Sequence, residues 1–379
     1  MAAVSFVYSV SFSTFWVYVG IYVVKGLDWP AARVGYLFLA SAPVAAVANY
    51  FSGRLADAAG RKTPIVLSFV ASAANMTLLA VVGDSTVAAF ALVILQGAIG
   101  APAYSLDRVL VADLIAEPER REGGYAAIRV ASNVGILIGP PLAGLLVYLG
   151  GWTAFLLGIA ALGAMGAVLA AVLLPATAGR SAETQAGSLG EVVGDRPFAL
   201  LLLSSLFSWI DYCAFETVLP VIAVSAYGLS ASKWGLLVAI SPALVILGQL
   251  RLTRASAGIP AAPRLAGAAL LMGLPFLVLL AAQGVAAIVV VIVLFMVGEM
   301  VWMPTSQGLA AELAPEQSRG TYFGALAAMT GPAWTLAPFI AFQLRDHAGV
   351  HSVWLLFAAI AVAAAATGVS AVRARPLRR

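Results

Sequence analysis

Apolar stretches of about 20 residues, repeated from one end of the chain to the other, constrain its fold more than any other feature. Each is long enough to cross a hydrocarbon layer about 30 Å thick. The sequence predicts twelve such spans, at 4–24, 33–53, 64–83, 86–113, 123–149, 152–174, 198–224, 231–250, 263–282, 285–311, 320–344 and 351–371. The first begins almost at Met1, and it is too long, and lacks the basic start and small-residue exit, for a cleaved signal. Little chain remains for a soluble domain. Of 379 residues, 62% are hydrophobic and only 10% charged, against about 25% charged in soluble domains. The expected class is an all-α integral membrane protein.

The cations set an expected orientation. Of 21 Lys and Arg, Lys25, Arg33, Lys233 and Arg345 fall on one side and Arg108 and Arg129 within spans; the remaining fifteen fall on the other side. That bias places both termini in the cytoplasm. The net charge of +4 therefore reads as topology, and no basic face points to nucleic acid.

A polar segment, 175–196, follows the sixth span and reads as a cytoplasmic linker between six-helix bundles at 1–174 and 197–379. A weak repeat relates the halves. Pro118, Glu119, Gly123 and Tyr125 lie 197 residues before Pro315, Glu316, Gly320 and Tyr322, at equivalent loops. Two pseudo-symmetric bundles moving about a central site is a known transporter plan.

Between the second and third spans stands Gly53-Arg54-Leu55-Ala56-Asp57-Ala58-Ala59-Gly60-Arg61-Lys62. In the fifth span stands Gly135-Ile136-Leu137-Ile138-Gly139-Pro140-Pro141-Leu142-Ala143-Gly144. The first resembles the loop signature of the major facilitator superfamily, and the second the signature of its twelve-helix drug:proton antiporter branch. The resemblance covers the whole chain. It departs from the branch pattern in helix four, where Val93 stands three residues before Gln96-Gly97 in place of an arginine. The second-half copy of the loop, Gln249 to Arg254, has no carboxylate.

Each motif carries physical content of its own. Gly53 and Gly60 permit close approach and a tight turn. Asp57 can accept from a helix N-terminus or pair with Arg61, beside Lys62. The resemblance implies that this contact is a conformational latch, with its partner near Arg319 and Gly320. In helix five, Gly135, Gly139 and Gly144 allow tight packing. Pro140 and Pro141 remove two N–H donors and should bend the helix or free a carbonyl. The expectation is a hinge or seal, with ordinary helix packing as the alternative.

Charges in mid-span are costly and usually functional. Asp107, Arg108 and Arg129 lie at similar depth in helices four and five, where an Asp107–Arg129 pair is either a structural brace or a gate. Asp211 and Glu216 in helix seven and Glu299 in helix ten have no cation at their depth in the second half. Such carboxyls can carry a proton near neutral pH or attract a cationic substrate. These three are the candidates for proton coupling or substrate binding. Trp16, Tyr104, Trp209, Tyr212, Trp302 and Trp334 are candidate cavity aromatics, suited to stacking and cation–π contact.

Other chemistries find little support. Cys213 is the only cysteine and His347 and His351 the only histidines, which leaves no thiolate–imidazole metal site. No nucleophile–base pair or phosphate-cradling loop appears, so neither an enzyme nor an ATP-driven pump is expected, and no cofactor is implied. The leading reading is a proton-coupled exporter of hydrophobic or cationic small molecules, functional as a monomer in a bacterial cytoplasmic (inner) membrane. The alternatives keep the fold: a narrow metabolite transporter for a sugar or organic acid, or a lipid flippase.

Overall fold

The computed structural model describes residues 1–60, 62–82, 85–99, 118–175, 189–315 and 318–374. Side-chain placement is described for all of these except 46, 49–50, 52–54, 56–59, 118–127, 129, 189, 191 and 319–320. Every regular element among the described residues is helical. The long helices are α1 (Ala2–Gly26), α2 (Ala32–Ala59), α3 (Lys62–Val81) and α4 (Thr86–Ile99). Next come α5 and α6, the two arms of Pro118–Leu173, which meet at the non-helical pair Gly150 and Gly151. Then follow α7 (Arg196–Ser225), α8 (Ala231–Ser256), α9 (Ala261–Ala281), α10 (Val285–Leu313), α11 (Thr321–Ala348) and α12 (Val350–Arg373).

Among the described residues nine helices are long and apolar enough to cross a membrane, and two shorter apolar helices accompany them. Where both are described, expected and observed helix ends agree within six residues. The chain is thus a multi-pass, all-α membrane protein. Its outward side chains agree: Val87, Val81, Val172 and Leu247 are 73–81% exposed, as apolar groups facing lipid can be.

The turns and starts follow local chemistry. Gly151 takes φ +66° between α5 and α6, and Gly60 takes φ +78° at the end of α2, a region that only glycine enters without strain. At the start of α7 the Asp195 carboxylate accepts from the Phe198 N–H at 3.4 Å, with Pro197 in the first turn. Its other oxygen accepts from the Tyr322 hydroxyl at 3.3 Å. Ser230 caps α8 by accepting from the Lys233 N–H at 3.3 Å.

The described chain divides into two compact units. The first holds Met1–Glu183 and Gly228–Pro242, so the opening of α8 packs with it. In it α1 lies along α5 and α6, and α3 lies on α6. Phe155 is fully buried, with its ring 5.8 Å from Tyr18 and 6.2 Å from Tyr22. Gly163 and Gly166 bring α6 close to α3; a Cβ on Gly166 would enter the Phe69 ring. The second unit holds Thr184–Tyr227 and Ala243–Arg379. In it α12 packs on α7 and α9, and α9 on α10. Stacked rings mark its centre, Phe215 on Phe295 at 4.2 Å and Phe276 on Trp354 at 5.3 Å.

Candidate functional site

In the second unit, α7 and α10 carry matching faces. Trp209, Tyr212 and Glu216 recur on α7 at i, i+3 and i+7, and Phe295, Glu299 and Trp302 on α10 at i, i+4 and i+7. Both spacings put three side chains on one side of a helix. The two sides meet. The Trp209 ring lies edge-on to Trp302 at 5.2 Å, and Tyr212 lies 6.2 Å from Phe295. Glu216 and Glu299 each lie on one of these facing sides. One carboxylate oxygen of Glu299, Oε2, is buried without a hydrogen-bond partner among the described residues. So is the Trp302 indole N–H. The facing sides thus carry two carboxyls and four aromatic rings, with hydrogen-bonding capacity unspent at Glu299 and Trp302.

Local backbone departures frame this pair. Ala214–Val218, which contains Glu216, is a π-helical turn, a form often found at functional sites. Thr217 braces it through its hydroxyl, which donates to the Cys213 carbonyl at 2.5 Å. On α10, Pro304 has no N–H to give to the Met300 carbonyl four residues back. Gln249 Nε2 of α8 donates to that carbonyl instead, at 2.9 Å, beside Glu299.

Asp211 does not share this setting. It is fully buried, and its Oδ2 lies 3.0 Å from where a Cβ on Gly273 of α9 would stand. Neither of its carboxylate oxygens has a hydrogen-bond partner among the described residues. Helix seven therefore presents acids on two sides, Glu216 toward α10 and Asp211 toward α9 and α12.

In the first unit the helix-five glycines face α1. A Cβ on Gly135 would come within 2.8 Å of Ser9 Cβ and the Phe6 carbonyl, and one on Gly139 would fall on Ser13 Oγ. The hydroxyls of Ser13 and Thr14 donate chiefly to the Ser9 and Val10 carbonyls of α1 at 2.7 and 2.6 Å, and also lie 3.4 and 3.2 Å from the Gly135 and Gly139 carbonyls. Pro140 and Pro141 do not break α5; the non-helical residues in Pro118–Leu173 are Gly150 and Gly151. Gly144 and the Pro140 carbonyl border the Tyr18 hydroxyl and the start of α8. Tyr18 donates to the Ala231 carbonyl at 2.6 Å, and Ser232 to the Gly144 carbonyl at 3.0 Å.

The remaining candidates are scattered or undescribed. Trp16 lines a shallow recess with Phe38, Ser41 and Val93. Trp334 lies half-buried on α11. Tyr104, Asp107, Arg108 and Arg61 lie outside the described residues, as do the side chains of Gly53, Asp57 and Arg129. Gly60 and Lys62 are described, at the turn from α2 to α3.

Three groups escaped the sequence reading. The first is a polar seam between α3 and α4. Gln96 Nε2 donates to Ser72 Oγ at 2.8 Å, and Asn75 Nδ2 to Gln96 Oε1 and the Leu92 carbonyl at 3.0 Å. The second is the hydroxyl stripe Ser204–Ser208 below Asp211. Both are written at helical spacing and could have been found. The third, the Tyr18–Ala231 contact, spans 213 residues and leaves no local signal.

Comparison with known proteins completes the description. The Major Facilitator Superfamily profile matches residues 1–338. A Na(+), Li(+), K(+)/H(+) antiporter of Planococcus maritimus is 24% identical over 350 residues, 83% of this chain and 82% of that protein. Nucleoside transporter NupG superposes with a TM-score of 0.79 at 15% identity, covering 98% of both chains. A bacterial homologue of the human lysosomal transporter Spinster, inward-facing and occupied, gives 0.79 at 14% identity, covering 99% of this chain and 96% of that one. At such identities the two structures speak for the fold alone.

Proposed function

The chain belongs to the Major Facilitator Superfamily, and from that premise we propose that it is a proton-coupled exporter of hydrophobic organic cations. The observation that supports this reading is that the sides of α7 and α10 that meet carry Glu216 and Glu299 together with Trp209, Tyr212, Phe295 and Trp302. Two carboxylates held together in an apolar surround repel each other. That repulsion is relieved either by a proton or by a cationic substrate. The two then compete for one place, and competition of this kind links export of one to entry of the other. The rings add stacking and cation–π attraction for a flat or bulky cation. The Planococcus antiporter supports proton coupling, since it too exchanges cations for protons by its name.

The same reading assigns the rest of the chain. The nine long helices, the bend at Gly150–Gly151 and the two shorter apolar helices account for twelve crossings in bundles at 1–174 and 197–379, joined by a linker at 175–196. Both termini face the cytoplasm of a bacterial cell by the distribution of cations. The Gly53–Lys62 loop acts as the latch, and Asp107, Arg108 and Arg129 as the gate. One polypeptide suffices for the cycle.

Purified protein in liposomes with a trapped pH dye tests the proposal. A gradient of an aromatic quaternary ammonium compound should drive proton flux. Glu299→Gln and Glu216→Gln should each lower that flux by at least about tenfold, the scale of losing one charged contact. Substrate movement without proton flux, unchanged in both variants, would overturn the coupling.

A further inference from the structure

Asp211 stands near the middle of α7 with no exposed surface. Neither carboxylate oxygen has a hydrogen-bond partner among the described residues, and neither does Ser208 Oγ one turn earlier. Ser208 is also fully buried. Ser204, Ser208 and Asp211 recur at i, i+4 and i+7 and so share one side of α7. That side meets α12, where Ser204 Oγ donates to the Ala364 carbonyl at 2.8 Å.

Opposite Asp211 the backbone comes close. The point where a Gly273 Cβ would stand lies 3.0 Å from Asp211 Oδ2 and 2.7 Å from the Phe357 carbonyl oxygen, with Ala361 Cβ alongside. Gly273 ends the regular part of α9, and the 3-10 turn Leu274–Leu277 follows, carrying Pro275. Pro275 gives no N–H to the Leu271 carbonyl four residues back. Asp211 Oδ2 and the Phe357 carbonyl oxygen therefore both border Gly273, where helix packing would ordinarily place hydrocarbon. The charged or titratable side chains of α9 and α12 (Arg264, His351 and Arg373) all belong to helix ends.

A lone carboxylate left ionised in such a place costs several kcal/mol, to order of magnitude, unless a partner neutralises it. We propose that Asp211 and Ser208 bind a small alkali-metal cation, Na⁺ or Li⁺, at a site separate from the Glu216–Glu299 pair. One carboxylate matches one positive charge. Carboxylate, hydroxyl and carbonyl oxygens are the donors a hard cation takes. The close packing of Gly273 and Ala361 favours Na⁺ and Li⁺ over K⁺. Ser204 and Ser208 place two hydroxyls on the side of α7 that carries Asp211.

The test is equilibrium binding of radioactive Na⁺ to purified full-length protein at alkaline pH. Wild type should bind saturably, with Li⁺ competing better than K⁺. Asp211→Asn should weaken binding roughly 100-fold and Ser208→Ala about tenfold, the range for losing a charged and a neutral oxygen contact. Glu216→Gln and Glu299→Gln should bind as wild type does. Thermal melts check that each variant is folded. If Asp211→Asn does not fold, Ser208→Ala and an infrared measurement on the Glu216→Gln/Glu299→Gln double variant decide the matter: saturating Na⁺ should abolish the protonated-carboxyl band that remains there for Asp211. Absence of saturable Na⁺ binding to wild type would overturn the proposal. So would a protonated-carboxyl band that Na⁺ cannot displace, which makes Asp211 a proton carrier only. Loss of binding in the glutamate variants with Asp211→Asn intact would move the site to the pair. The organic-cation reading is judged by flux in the glutamate variants, so the two proposals fail separately.

Discussion

The two units treat their buried polar groups differently. In the first, most buried hydroxyls and amides find a partner, on their own helix or on a neighbouring one. Ser13 and Thr14 reach α5 carbonyls, Gln96 and Asn75 join α4 to α3, and Tyr18 reaches Ala231. The exceptions there are Asn75 Oδ1, the Trp234 indole N–H and Ser241 Oγ. In the second unit α7 and α10 hold Ser205, Ser208, Asp211, Ser225, Glu299 and Trp302 with buried polar atoms unpartnered among the described residues. A buried polar group that is bonded fixes the position of a helix, whereas one that is not has been desolvated at a cost. Groups of the first kind serve architecture. Groups of the second kind are either a packing cost or places where a proton, cation or substrate supplies the missing contact.

The largest effect is expected where the first unit's bonding depends on close approach. Ser13 and Thr14 reach α5 because Gly135 and Gly139 have no side chains. In Gly139→Val the new Cβ would fall on Ser13 Oγ and crowd the Thr14 N–H. Both hydroxyl bonds to α5 would be lost as the helices separate. Overpacking of this kind costs about 1–3 kcal/mol, occasionally more, and a contact this close belongs at the upper end. A melt in detergent, with the monodisperse fraction measured by gel filtration, should show a much less stable protein. A melt equal to wild type would mean that α1 and α5 are not packed as described.

How much of this was written in the sequence can be argued from these same residues. The helices were legible because a membrane span needs both length and continuous apolarity, and Val285–Leu313 or Val350–Arg373 offer little else. Glu216, Glu299 and Asp211 stood out because a charge in an apolar run is rare. Their division was less accessible. Angular spacing along α7 separates Asp211 from Glu216, but only the packing of α9, α10 and α12 shows what each side meets. Gln249 illustrates the limit. In sequence it opens a degenerate loop copy, while in the fold it serves the carbonyl that Pro304 leaves free on α10. A deficit at one position met by a side chain 51 residues away has no local signature.

A smaller effect should follow from breaking the α3–α4 seam. Gln96→Leu removes the donor to Ser72 and the acceptor for Asn75, both buried. Leaving those partners unpaired costs about 1–3 kcal/mol. The melting temperature should fall, and the protein that remains folded should couple substrate to protons as wild type does. A selective loss of coupling with no change in melting would place this seam with the functional groups and break the contrast between the units.

The smallest effect has the opposite sign and sharpens the contrast most. Ser205 is 1% exposed, and its hydroxyl has no partner among the described residues. It points away from the side of α7 shared by Ser204, Ser208 and Asp211, since one residue turns a helix by about 100°. Ser205→Ala removes a desolvated hydroxyl and keeps the shape. If the group serves no ligand, its loss should stabilise the protein by about 1 kcal/mol, a small rise in melting temperature with flux and Na⁺ binding unchanged. Ser208→Ala differs by one turn of the same helix and should show a similar melt in the absence of Na⁺, but it should lose the stabilisation that saturating Na⁺ gives wild type. Equal behaviour of the two variants in Na⁺ would show that an unpartnered hydroxyl on α7 is a packing cost wherever it occurs, and that Ser208 holds no ion.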